Sequence, residues 1–212
     1  MHTGYVYQGS FVTFDAETEP EWLHVTGEPV MGPLKGKSIK LLPTRLARWE
    51  QWKSAHPNTT VYKHRRNWSD AYRERVTFRA GSSRAKLGLN VVVGHESKLY
   101  PYSSLEPAQV INDVNNKKPI AAVFAPSAEC GVTWLRQVDD RTLTVRSLKT
   151  AAGAVRLRDA ETNSVWHPLT GHAMDGPLKG KKLTPLVAIP IRLTRYRAVL
   201  SGWPDLWSGS DT

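Results

Sequence analysis

The chain has 212 residues, 40% of them hydrophobic with eight Trp, a single Cys and a net charge of +10. That length suits one larger domain or two small ones, at about 100–200 residues per domain. One Cys excludes an internal disulfide and no run of about 18 apolar residues offers a transmembrane helix; no signal segment is visible at the start, so a cytoplasmic, reducing setting without membrane contact is expected.

Taken in chain order, SFVTF at 10–14 alternates and predicts a strand. DAETEPEW reads as a turn, and TGEPVMGPLKG, with Gly27, Pro29, Gly32, Pro33 and Gly36, as a looped β-excursion leading into a strand at SIKLL. A helix is predicted over 44–55, with Thr44 as N-cap, Leu46, Trp49 and Trp52 as its apolar stripe and His56-Pro57 as its stop. TTVYKH reads as a strand and NWSDAYRER as a short helix, and AGSSRAK is the best boundary. Strands follow at 89–94 and 98–102, a short helix at 104–113, a turn at VNNKKP, and strands at 120–125, 131–135, 141–147 and 154–158.

Residues 15–42 and 159–186 are then two copies of one segment, 144 positions apart. DAET, Trp22/Trp166, Thr26-Gly27/Thr170-Gly171 and the hexamer GPLKGK coincide without a gap, so the chain contains a duplicated unit. Beyond it, TRYRAVLSGWPD aligns with ARWEQWKSAHPN after three inserted residues, which places Tyr196 on Trp49 and Trp203-Pro204 on His56-Pro57. The expected fold is α+β and β-rich, two related lobes from a partial internal duplication with a few short helices. Residues 1–80 form the partial first copy and 87–212 the unit containing the second. Trp22, Trp49, Trp52, Trp166 and Trp203 read as core.

The charge is uneven. Residues 35–86 hold 14 Lys/Arg against Glu50, Asp70 and Glu74, a net of +11, whereas residues 1–34 hold five acids and no Lys or Arg. Such a segment attracts an anionic partner or is simply solvated.

KLYPY (98–102), QVINDV (109–114), PIAAVFAPSAECG (119–131), VDDRTLTV (138–145), LRDAETNSVW (157–166) and TGHAMDGPLKG (170–180) follow one another in an order that resembles a bacterial domain-of-unknown-function (seleno)protein family. Members carry WHEIVND, TYCPLC and TGEA-x-x-GPL-x-G stretches in that order. Residues 14–61 look like the family's tail segment a second time. The two family cysteines fall on Ala125 and Ala128 and the family histidine on Ala108. The resemblance suggests thiol, selenol or metal chemistry for those family residues, and this chain lacks them, since Ala cannot replace a reactive sulfur.

Other chemistry is weighed on the residues. GPLKGKS at 32–38 has three residues between its glycines where a phosphate loop needs four, and Pro33 removes a donor, so it reads as a turn. His167 and His172 replace Leu23 and Glu28 of the first copy; with His95 or Cys130 they are candidates for an open transition-metal site. Cys130 is also a candidate nucleophile, or else a buried thiol. In the basic segment, Arg65, Arg66, Trp68, Tyr72 and Arg73 are candidates for a small anionic ligand, and residues 63–86 for nucleic acid. The expectation is a non-redox binding or accessory protein for a small or anionic ligand. The alternatives are a metal-assisted enzyme using the His167/His172 loop and a nucleic-acid binder; a homo-oligomer is compatible with any of them.

Overall fold

The computed structural model describes residues 2–7, 10–23, 26–61, 87–94, 96–150 and 155–193. The chain is β-rich, and among the described residues every strand pairing is antiparallel. A front meander of β1 (His2–Tyr7), β2 (Ser10–Phe14), β3 (Glu21–Leu23) and β4 (Glu28–Met31) is followed by α1 (Trp49–Ala55). Next come β5 (Leu87–Val93), β6 (Glu96–Pro101), α2 (Tyr102–Ala108), β7 (Val110–Asn115), β8 (Lys118–Ala125) and β9 (Cys130–Leu135). A two-stranded ribbon, β10 (Gln137–Val138) and β11 (Arg141–Thr142), leads to a second meander, β12 (Val145–Lys149), β13 (Val155–Asp159), β14 (Val165–Trp166) and β15 (Ala173–Asp175). Last are β16 (Thr184–Pro185), which joins β9, and β17 (Val187–Arg192), which joins β5.

The period of two in β8 explains the layering. Ile120, Ala122 and Phe124 face one apolar cluster with Leu89, Val91, Tyr100 and Leu105 of β5, β6 and α2. Ala121, Val123 and Ala125 face the other, with Trp134, Leu157, Trp166 and Leu183. The sheet β16-β9-β8-β7 is therefore covered on both sides, by β17-β5-β6 and by the second meander.

Polar residues of β7 and its turn tie these layers together. Asn112 acts as a peptide group, its Nδ2 donating to Val145 O (2.7 Å) while its Oδ1 accepts from Val145 N (2.9 Å). Asn115 and Asn116 donate to Val91 O and Val93 O at 3.2 and 3.0 Å. Asp113 accepts from Tyr100 OH (2.7 Å) and pairs with Lys98 Nζ (2.8 Å). Burial alone would push the Asp113 carboxyl up, but Lys98, Tyr100 and the Val114 N–H together hold it below its ordinary value. Asn116 and Lys117, at φ 47° and 58°, make the two-residue hairpin that VNNKKP predicts.

The duplication is a duplication of backbone. Thr13↔Trp22, Phe14↔Glu21, Glu21↔Met31 and Trp22↔Pro29 recur as Leu157↔Trp166, Arg158↔Val165, Val165↔Asp175 and Trp166↔Ala173, with the irregularity at the same step. Asp15 and Asp159 each cap their own turn through Thr18 and Thr162, and Glu19 and Asn163 follow with φ 61° and 59°. Gly27 and Gly171 share φ 73°, and their carbonyls accept from Ile39 N (2.8 Å) and Leu183 N (2.9 Å). GPLKGK is a turn in both copies.

Several expectations are corrected. The helix read over 44–55 begins only at Trp49, because Arg48 is extended and spends its N–H on Ala128 O (3.0 Å), which keeps residues 44–48 out of the helix. SIKLL forms no strand; apart from the Ile39 rung it lacks the neighbour that β9 gives β16 in the second copy. The helix read at 104–113 is α2 at Tyr102–Ala108; Gln109 turns left-handed at φ 59° and the chain re-enters as β7. Trp49 is 54% exposed, while Trp22 and Trp166 are core as expected and Trp134 is fully buried. NWSDAYRER, AGSSRAK and the tail after 193 lie outside the described residues. Among the described residues no helix is long and apolar enough to cross a membrane.

Two stability predictions follow from these contacts. Asp113→Ala, which leaves Lys98 and Tyr100 without their buried acceptor, should lower unfolding free energy by about 3 kcal/mol in urea titrations. A Cβ at Gly171 would meet Trp134 Cζ3 at 2.7 Å, whereas one at Gly180 meets nothing within 4 Å, at similar positive φ. Gly171→Ala should therefore lower the melting temperature well beyond Gly180→Ala, the latter costing about 1 kcal/mol of backbone strain.

Candidate functional site

Fully buried Trp134 on β9 is the floor of the site. Its Nε1 donates to Pro168 O (3.1 Å), which fixes the loop His167–His172 above it, and Gly171 rests on its six-membered ring. The guanidinium of Arg45, from the segment that precedes α1, lies 4.9 Å over the same ring. One indole thus joins the tail of the first copy to the loop of the second. Arg48 adds an ion pair to Glu129, and Ala47 and Ala55 pack on the cluster that contains Trp134.

His56 ends α1, its N–H donating to Trp52 O (2.8 Å) and its ring tilted 36° against the Trp52 ring with centroids 4.1 Å apart. Trp52 Nε1 donates to Thr59 Oγ1 (3.1 Å), so the turn after the helix is folded back on it. Trp52, Ala55, His56, Pro57, Asn58 and Thr59 line a cleft of about 400 Å³. The Nε2 of His56 is buried and has no hydrogen-bond partner among the described residues. Burial first, then the positive charges of Arg45 and Lys182 and the His172 imidazole, hold the His56 pKa below its ordinary value.

In the second-copy loop, His167 N donates to His172 O (2.8 Å), and Leu169 N and Thr170 N both donate to His167 Nδ1 (3.2 Å each). An Nδ1 that accepts two N–H groups carries no proton, which makes Nε2–H the ring's donor. Burial first, then Arg156, His56 and His172, lower the His167 pKa. The His172 side chain is exposed, and its backbone bridges to Lys182. The charged and titrating groups that act on these two histidines are all basic.

Of the residues singled out in the sequence, the structure brings His167 and His172 together and adds His56, Arg45, Arg156 and Lys182. His95 lies outside the described residues, as do Arg65, Arg66, Trp68, Tyr72 and Arg73 and the whole of 63–86. Among the described residues, no group of three or more His, Cys, Asp or Glu side chains converges closely enough to hold a metal ion. Cys130 is fully buried; its thiol donates to Gly131 O (3.5 Å), and burial pushes its pKa up to about 11 despite nearby Arg45. At neutral pH the thiol beneath Arg45 and Leu46 is protonated.

Neither the curated proteins nor the solved structures yield a significant match to this sequence. A family model does match, once over residues 2–87 and again over 83–206, in keeping with the repeated backbone; the chain belongs to the family described as Protein of unknown function (DUF3179).

Proposed function

We propose that this chain is a non-redox binding module for a small oxyanion, held where the tail of the first copy meets the His167–His172 loop of the second. One observation carries this reading: two imidazoles whose pKa values are lowered first by burial and then by surrounding basic groups, one of them with a buried nitrogen that has no partner among the described residues. Such a cluster gains most from an anion, which relieves like-charge repulsion and supplies the missing acceptor. Arg45, His56, the Nε2–H of His167 and Lys182 are the donors offered. The resemblance to two related lobes fits a site built between copies, and Ala125 and Ala128 fit a module without thiol chemistry. Arg65, Arg66, Trp68, Tyr72 and Arg73 would extend the same preference for negative charge.

The metal-assisted reading through His167 and His172 draws some support from three neighbouring imidazoles, but Arg45 and Lys182 would repel a cation and His167 Nδ1 is already engaged. Binding through residues 63–86 to nucleic acid is the third reading. Calorimetric titration with sulfate, phosphate, citrate, zinc and a DNA oligonucleotide discriminates the three. Saturable sulfate or phosphate binding is expected, weakened about 10- to 100-fold by His56→Ala, as removal of one charge-assisted hydrogen bond of about 1.5–3 kcal/mol implies. Zinc binding lost in His167→Ala/His172→Ala, or steeply salt-dependent DNA binding without small-anion binding, would sink it.

The pH dependence has a definite sign. The folded-state pKa values of His56 and His167 lie below the ordinary imidazole value of 6.5, so the unfolded chain takes up protons first as pH falls. Their contribution to stability is present above about 6.5 and is lost below it as pH falls through the folded values. Melting temperature should drop through this window without ligand, and the protection given by sulfate should grow over the same range. His56→Ala should flatten both curves.

A further inference from the structure

We propose that residues 45–59 are a strap that lifts from the second half of the chain as a unit, so that the basic site is assembled when the strap docks and dispersed when it lifts. The assembly of the site rests on the oxyanion reading; the lifting does not. Few bonds secure the segment. Residues 37–48 form neither helix nor strand, and α1 has no buried residue and no side-chain cap at its start. What docks it is the Arg45 guanidinium over the Trp134 ring, the Arg48 N–H on Ala128 O, the Arg48–Glu129 pair and the partly buried Ala47 and Ala55. The Arg48 side chain is 59% exposed, which makes its ion pair a weak one. Arg45 and His56 are carried toward Lys182, His167 and His172, all basic, so electrostatics oppose the docking. Bonds within the segment make it one unit: Trp52 Nε1 donates to Thr59 Oγ1 and Lys53 Nζ to Pro57 O (2.8 Å).

The layers beneath the strap are held differently. β8 runs in continuous register with β7 on one side and β9 on the other, and none of these pairings involves residues 45–59. An element with few buried apolar contacts opens at lower free energy than such a core. Cys130 reports on the opening, because it is the single thiol of the chain and is fully buried. The groups that act on it are Arg45 and the Leu46 backbone, from the strap, and Tyr102, from α2. Lifting the strap therefore uncovers the thiol and the ring face of Trp134 that Arg45 covers, while the sheet keeps its pairings. It also takes Arg45 and His56 away from the donors of the site and leaves His167 and Lys182 behind.

Labelling of Cys130 in the full chain with an aromatic disulfide reagent, from zero urea up to the unfolding transition, tests this. Where opening and closing outpace the chemistry, the rate reads the population of the open form. It is expected to be nearly independent of urea at low concentration, because lifting exposes little surface, and to climb only where global unfolding takes over. Arg48→Glu, which sets a like charge against Glu129, should raise the rate at zero urea about three- to tenfold. Val91→Ala, in the other core layer, should lower the urea midpoint and leave that rate unchanged. Millimolar sulfate at constant ionic strength should slow the labelling of the wild type. A rate that tracks global unfolding at every urea concentration would overturn the strap, as would one that rises in Val91→Ala and not in Arg48→Glu. Sulfate that binds by calorimetry yet leaves the rate unchanged would overturn its role in assembling the site. Sulfate that does not bind at all, with labelling otherwise as expected, removes the oxyanion reading and leaves the strap standing.

Discussion

The side-chain amide of Asn112, bonded both ways to the backbone of Val145, is the constraint on which much of this structure depends. A strand edge presents unpaired N–H and C=O groups, and β7 is such an edge. Asn112 uses a side chain to reach the first strand of the second meander, so the meander is fixed over the face that carries Ala121, Val123 and Trp134. Arg136 reinforces the junction by donating to Ile120 O (2.8 Å), Asp113 O (3.3 Å) and Leu143 O. A polar group spent in this way must be fully satisfied, since a buried amide left half-bonded costs more than an apolar replacement. Once the meander is seated, Pro168 O accepts from the Trp134 indole N–H, and the positions of His167 and His172 follow from that contact.

The two meanders share a backbone and differ in what they bury. Val12 and Leu23 are buried in the front copy; their counterparts Arg156 and His167 are only partly covered. Leu157 is fully buried where the front copy has exposed Thr13. Because strand side chains alternate, such an exchange shifts apolar burial from one face of the meander toward the other without moving its hydrogen bonds. The second copy can then place basic groups on the side its counterpart uses for packing, while Trp22 and Trp166, held by the same pairings, stay in both cores.

Much of this was legible in the sequence where local chemistry decides. The repeat showed in DAET, the Trp pair and GPLKGK, and the structure gives each a reason: Asp159 caps its turn and accepts from Trp166 Nε1 (2.9 Å), and GPLKGK is a turn. Strands of β8 and β9 were read nearly to their ends. What was missed depends on contacts distant in sequence. Nothing local says that Arg48 will bond Ala128 and shorten its helix, or that Arg45 will cover an indole on β9. His56 was read as a helix stop. Yet the comparison that singled out His167 against Leu23 was available for His56 as well, because its counterpart in the second copy is Trp203.

Neither copy holds the basic cluster alone: Arg45 and His56 come from the first, and Arg156, His167, His172 and Lys182 from the second. Packing so many basic groups together raises the energy of the folded chain, and the cost must be met by contacts elsewhere. The Arg45–Trp134 contact, the Arg48–Glu129 pair and the apolar seat of Ala47 and Ala55 are those contacts, and they hold the tail in place beside the histidines. Arg45 therefore has two roles, anchoring the tail and adding the charge that the anchoring must offset. An oxyanion bound as proposed would relieve that repulsion and leave the anchor, so on this proposal occupancy of the site and docking of the tail should rise together.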